Sequence, residues 1–327
     1  MEIPQHNFAL DLVRVTEAAA LASGRWLGKG DKESGDAAAV NAMRLSFSVI
    51  QFDGTVIIGE GEKDKAPMLF NGEKLGTGQG MKMDVAVDPV EGTRLLAYGR
   101  PNAISVVGVA PAGSMFDPGS SFYMKKLVVP ASARDAVDID APVGDNLKHI
   151  ARKLGKDVDD LVVFVLDKPR HRQLISEIRK AGARIQLHTD GDVAGALMAV
   201  DPCCSVDAMI GTGGTPEGVL AACAIRALGG ELFARLDPQL PEELEALRKA
   251  GRDLRQVYTA QDLVNSEEVL FAATGISGGK FLSGVRYTGT GAVTHSLVIR
   301  GKTGTVRYIE AHHNWEKLMR FSAVKYD

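Results

Sequence analysis

An α/β protein made of two layered halves is predicted by three features of this 327-residue chain. Short β-branched runs in residues 1–155 end on acidic or glycine-rich turns. From residue 161 strands and helical segments alternate, and apolar residues make up 45% of the chain against 24% charged. That balance supports a buried core in each half, with a boundary expected near residue 155 (halves 1–155 and 156–327).

Taken in order, residues 8–27 place Phe8, Leu12, Val15, Ala19 and Trp26 at helical spacing and run into the loop Gly28-Lys29-Gly30-Asp31-Lys32. A second, Ala-rich helix is expected over 36–50. Residues 55–58 read as a strand ending at Gly59-Glu60-Gly61-Glu62, and 83–87 as another, stopped by Asp88-Pro89. Strands are expected at 104–109 and 126–129, and a helix at 146–154. The apolar run LVVFVLD at 161–167 reads as a strand buried on both faces. Helix 169–181, strand 184–187, helix 192–200, strand 206–210 and helix 216–228 continue as parallel βα units. Strands at 268–273, 284–287, 295–299 and 305–309 close the chain, the last two as a hairpin.

The formal net charge is −3, whereas a surface built to grip a polyanion carries a basic excess. Bulk nucleic-acid binding is therefore disfavoured. No stretch approaches the roughly 20 apolar residues of a membrane span, and MEIPQHNFALDLVRV lacks the basic start and apolar run of a secretory signal. Cys203 and Cys204 are adjacent, Cys223 stands apart, and no CxxC spacing suggests zinc. The expectation is a soluble cytoplasmic protein without nucleic-acid or membrane partners.

The strongest local signal is Asp84-Val85-Ala86-Val87-Asp88-Pro89-Val90-Glu91-Gly92-Thr93. A strand delivers Asp88 at its end, and Gly92 permits a tight turn before Thr93. Converging carboxylates repel unless a hard divalent cation, magnesium or manganese, neutralises them; a solvated acidic turn is the alternative. Glu60, Glu62 and Asp64 add acidic loops. Asp36 is a candidate ligand or a plain helix cap, and Glu217 a candidate ligand or a carboxylate complementing its helix dipole. Several carboxylates at strand and helix mouths are what two-metal phosphoryl transfer requires.

Lys168, Arg170, His171 and Arg172 crowd a helix start, where the dipole disfavours cations. A substrate phosphate relieves that conflict, and a solvated basic patch is the alternative. Asp190-Gly191-Asp192 either caps a helix or accepts from sugar hydroxyls. The glycine-rich run from Gly211 to Gly214 is a possible phosphate nest, but it lacks the GK[ST] ending of a nucleotide loop.

Together IGEGE at 58–62, DVAVDPVEGT at 84–93, KPRH at 168–171, DGD at 190–192 and GGTPEGV at 213–219 resemble the class II fructose-1,6-bisphosphatases, some of which also act on sedoheptulose 1,7-bisphosphate. DPVEGT alone is similar to the metal motif of the wider lithium-sensitive phosphatases. The resemblance implies a layered α/β/α/β/α sandwich, a homodimer or homotetramer, and Mg2+ or Mn2+ held by Asp36, Glu60, Asp88, Glu91 and Glu217. It places Asp64 and Thr93 near the attacking water and Lys32 near the departing phosphate. Glu91, Gly92, Thr93, Tyr123, Lys168, Pro169, Arg170, Asp190, Gly191, Asp192 and Gly214 are its sugar-bisphosphate contacts. Ser34-Gly35-Asp36 stands where many relatives have Thr-Ala-Asp, a departure that keeps the carboxylate. The implied reaction removes the 1-phosphate of fructose 1,6-bisphosphate. The rivals are a sedoheptulose bisphosphatase, an inositol-phosphate-type monoesterase, and a non-catalytic sensor with an inherited site.

Overall fold

The computed structural model describes residues 8–61, 68–320, 322 and 324–326. Helices α1 (Ala9–Ser23) and α2 (Lys32–Phe47) precede β1 (Asp53–Ile58), β2 (Lys74–Leu75), β3 (Lys82–Glu91), α3 (Thr93–Ala97) and β4 (Ile104–Pro111). The middle of the chain forms β5 (Tyr123–Val129), α4 (Val143–Leu154), β6 (Val162–Leu166), α5 (Arg172–Ala181), β7 (Arg184–His188), α6 (Asp192–Val200), β8 (Ala208–Gly214) and α7 (Thr215–Leu228). It continues through β9 (Glu231–Leu236), α8 (Pro241–Lys249), β10 (Tyr258–Thr259) and α9 (Ala260–Leu263). β11 (Leu270–Gly275), β12 (Arg286–Thr288), β13 (Gly291–Arg300), β14 (Thr305–Asn314) and α10 (Trp315–Leu318) end it.

Residues 1–113 and 268–327 make one unit and 114–267 the other. The single boundary expected near residue 155 gives way to two crossings, because β11 returns to pair antiparallel with β4 along its whole length. Gly155 only ends α4, in the left-handed conformation that suits a glycine there.

The sheet of the first unit runs β12-β13-β11-β4-β3-β1-β2, with β14 pairing β13 as the expected hairpin. Leu12, Val15 and Ala19 of α1 and Met43 and Phe47 of α2 pack against Val85, Val87, Val107 and Val109 on one face. Fully burying one such Leu or Phe side chain contributes about 1.5–3 kcal/mol.

The sheet of the second unit runs β10-β9-β5-β8-β6-β7. Leu147, Ile150, Ile175 and Ile178 from α4 and α5 pack on Leu127, Val163 and Val165. On the other side of β6, α6 is buried at all nine positions and brings Gly195 onto the Phe164 ring, where a Cβ would clash. Taken by itself, the first unit is an α/β layer pair and the second an α/β/α stack, the layered α/β architecture expected. β6 is parallel to β7 and β8 as expected, but β5, β9 and β10 join antiparallel. The sheet is therefore mixed, and β9, α8, β10 and α9 arise from a segment whose pattern had suggested no elements.

Two further local readings change. α2 begins at Lys32, not Asp36, because the Asp31 side chain caps it by accepting from the Ser34 N–H at 2.9 Å. And 211–214 is no nest: these residues belong to β8, paired with β5 from Lys126↔Gly211 to Tyr123↔Gly214.

Candidate active site

Strand β3 does not stop at Asp88-Pro89 but continues to Glu91 through a bulge. Asp88 pairs with Val106 and Glu91 with Ile104, so three steps on β3 match two on β4. Pro89 and Val90 carry the irregularity, and β1 pairs β3 only as far as Ala86, so the missing N–H of Pro89 breaks no rung on that side. The consequence is geometric. Ile104 and Val106 lie on one face of β4, and cross-strand partners share a face. Asp88 and Glu91, three apart and destined for opposite faces in a regular strand, therefore share one. Asp88 Oδ1 accepts from the Val90 N–H at 3.0 Å and holds the bulge. Glu91 is buried, and Gly92 follows at φ 89°, opening α3 at Thr93.

The other candidate residues of this unit lie on α2 and just after β1, elements that pack on or pair with β3. The loop before α2 is fixed to α3 by Gly28 and Gly30, whose N–H groups donate to the carbonyls of Leu96 and Ala97 at 2.9 Å. Lys32 starts α2 with an exposed ammonium 3.9 Å from Glu33. Asp36 lies in the second turn and caps nothing. Burial pushes its carboxyl above the ordinary range, opposed by Lys32 and reinforced by Glu33. Glu60 follows β1, which is parallel to β3, so both strands end on the same edge. A Cβ at Gly59 would strike the Leu69 carbonyl, which accounts for glycine before Glu60. Glu62 and Asp64 lie outside the described residues.

In the second unit, Lys168, Pro169 and Arg170 form a 3-10 turn entry ahead of α5. Arg170 Nε donates to the Thr212 carbonyl at 2.9 Å, and its guanidinium lies over the Tyr123 ring, 5.2 Å from the centroid. Its two terminal nitrogens have no partner among the described residues and suit a bidentate anion. Lys168 Nζ stands 3.7 Å from Asp190. Gly191, at φ 87°, precedes Asp192, the first residue of α6. His171 is not part of the basic cluster: it is buried, and burial holds its pKa below the usual histidine value.

Beneath these residues lies a buried ionic group absent from the motif reading. Lys126 Nζ and Asp192 Oδ2 are 2.7 Å apart, with side chains 1% and 4% exposed. The signal was present in Lys125-Lys126: neighbours on a strand point to opposite faces, so one lysine had to turn inward. A Cβ at Gly213 would fall on the Asp192 carboxylate and one at Gly214 on that of Glu217. The two glycines are thus required for room beside carboxylates. Glu217 Oε2 is buried without a hydrogen-bond partner among the described residues. Burial drives its carboxyl pKa upward, the Asp192 carboxylate adds to this and Lys126 opposes it.

Among the described residues no three His, Cys, Asp or Glu side chains converge closely enough to hold a metal ion. The donors present nonetheless suit a hard cation: in the first unit a same-face carboxylate pair at a bulge, and in the second a buried carboxylate oxygen with no hydrogen bond among the described residues. The first unit thus offers a carboxylate-bearing sheet end, and the second, taken by itself, an arginine fork beside β8.

The chain belongs to the bacterial fructose-1,6-bisphosphatase family, glpX-encoded, whose model matches residues 6–313. It is 42% identical over 322 residues to "Fructose-1,6-bisphosphatase 1 class 2" of Escherichia coli strain K12, an overlap covering 94% of this chain and 96% of the relative. The class 2 fructose-1,6-bisphosphatases of Escherichia coli O6:H1 and Shigella flexneri match with the same identity and coverage. No helix among the described residues is long and apolar enough to cross a membrane.

Proposed function

We propose that this protein hydrolyses the 1-phosphate of fructose 1,6-bisphosphate, giving fructose 6-phosphate and phosphate, as a divalent-metal-dependent enzyme. The observation that carries the proposal is membership of the fructose-1,6-bisphosphatase family over nearly the whole chain. Asp36, Glu60, Asp88, Glu91 and Glu217 are the residues that would hold Mg2+ or Mn2+. When bound, the metal supplies positive charge to the phosphoryl oxygens and acidity to a water. The chain's own residues do the rest. Thr93 orients the attacking water, Asp64 takes its proton, and Lys32 opposes charge building on the transferred group. Arg170 and Lys168 hold the phosphate that is not cleaved, with Tyr123, Pro169, Asp190, Gly191, Asp192 and Gly214 around the sugar. A monoesterase has no use for that second cationic group, which favours a bisphosphate. A gluconeogenic role, a cytoplasmic location, homodimer or homotetramer assembly and kinship with the lithium-sensitive phosphatases belong to the same proposal.

Phosphate release from fructose 1,6-bisphosphate, sedoheptulose 1,7-bisphosphate and inositol 1-phosphate, with and without added Mn2+ or Mg2+, tests this reading. Fructose 1,6-bisphosphate is expected to be the best substrate. Chelation should abolish turnover, added metal restore it and lithium inhibit it. Full activity after exhaustive metal removal would sink the mechanism.

Arg170→Ala should mainly raise KM. The remote phosphate keeps its charge throughout the reaction, so contacts to it bind ground and transition states about equally. Losing one charge-assisted hydrogen bond removes roughly 1.5–3 kcal/mol, or about 10- to 150-fold in KM. Fructose 1-phosphate, lacking that phosphate, should barely register the change. Equal loss of kcat for both substrates would move Arg170 into the chemical step.

A further inference from the structure

Parallel strands β6 and β8 pair at Val163↔Ala208 and Phe164↔Met209. The odd residues flanking β6 serve β7: Asp167 N–H donates to the His188 carbonyl, and the Leu161 carbonyl accepts from Arg184 N–H. The even residues therefore serve β8. Continued by two residues, the register sets Leu166 opposite Gly211, and the next rung of a parallel ladder runs from Thr212 N–H to the Leu166 carbonyl. That rung is replaced by a side chain. Thr212 N–H donates to His171 Nε2 at 2.8 Å, and His171 Nδ1 lies 2.7 Å from the Leu166 carbonyl.

A backbone N–H only donates, so Nε2 accepts, the proton sits on Nδ1, and Nδ1–H donates to Leu166. The ring lies against Gly211, where a Cβ would come within 3.0 Å of it. Thr212 is fixed elsewhere too: its Oγ1 donates to Asp237 Oδ2 at 2.6 Å and its carbonyl accepts from Arg170 Nε at 2.9 Å. The Leu166 carbonyl also accepts from the Lys168 N–H at 2.9 Å, and the Thr212 carbonyl so positioned is the one that orients the arginine fork.

We propose that His171 is a positioning residue for phosphate recognition: its neutral imidazole, interposed in the β6–β8 ladder, holds the two strand ends apart and sets the Thr212 carbonyl against which Arg170 is aimed. Ligands of open α/β sheets bind outside the carboxyl ends of their strands, and this spacer opens the sheet at such an end. Protonation would turn a second N–H toward Thr212 N–H and break the bridge. The charged groups facing the ring are Arg170, which opposes protonation, and Asp192, which favours it.

The inference rests on the proposed bisphosphatase activity, and its test separates the two. Kinetics of the full-length chain and of His171→Leu and His171→Gln should be measured on fructose 1,6-bisphosphate and fructose 1-phosphate. His171→Leu is expected to raise KM for the bisphosphate about 10-fold or more, with kcat within about threefold and KM for fructose 1-phosphate little changed. His171→Gln keeps a donor and an acceptor on one planar group and should recover most of the affinity. As pH falls below the usual histidine range, wild-type KM should rise more steeply than that of His171→Gln, which shares the titration of the substrate phosphates but not that of the imidazole. If His171→Leu does not fold, the glutamine variant and the pH comparison still decide. A normal KM in His171→Leu, an equal kcat loss on both substrates, or identical pH profiles for wild type and His171→Gln would overturn the inference. A wild-type protein inactive on fructose 1,6-bisphosphate would overturn the functional reading instead.

Discussion

Lys126→Met is expected to destabilise the protein by about 3–5 kcal/mol, the range for removing one partner of a buried ion pair. The ammonium is 1% exposed and sits 2.7 Å from Asp192 Oδ2, which is itself out of reach of bulk water. Methionine fills much of the space of the lysine stem but leaves a carboxylate uncompensated in a region where Glu217 is already under strain from burial. The loss thus comes from the abandoned charge more than from the attraction removed. Lys126→Met combined with Asp192→Asn should recover most of it, because no buried ion remains. Urea unfolding of the three proteins checks this: a single variant as stable as wild type, or a double variant no better than the single, would show that the pair does not act as described.

Asp64→Ala should lower kcat on fructose 1,6-bisphosphate by roughly 10²–10⁴-fold, the usual contribution of a positioned general acid or base. In the sequence Asp64 comes shortly after β1, and β1 itself ends on the edge at which parallel β3 delivers Asp88 and Glu91. Asp64 stands outside the proposed ligand set, so metal affinity and the thermal midpoint should change little. That combination distinguishes proton transfer from ligation, since loss of a ligand would weaken metal binding as well. A variant retaining near-normal kcat would remove Asp64 from the mechanism.

The candidate reacting groups are those that the residues themselves offer. Carboxylates, glycines and cations recur at spacings set by local backbone needs, such as the left-handed Gly92 before Thr93 and Gly214 beside Glu217. Element types were legible for the same reason: periodicity is a local property, and α6 begins and ends where its pattern does. Facing and protonation were not local. Asp88 and Glu91 share a face only because β4 pairs with β3 out of step, and a pattern on one strand does not contain its partner's register. Asp31, not Asp36, caps α2 because its side chain meets the Ser34 N–H, a choice made by backbone geometry.

His171 read as a cation and proved a buried neutral bridge, since its environment includes Thr212 of β8, 41 positions away in the chain. Lys126 read as a strand residue and proved one half of a buried ion pair, its counterion being 66 positions away. The unit boundaries likewise depend on β11 returning to β4. The sequence by itself determined which chemical groups are present and the local elements that carry them. The tertiary structure alone decided which groups share a face, lose water and meet a partner, because burial and strand register are properties of two segments at once.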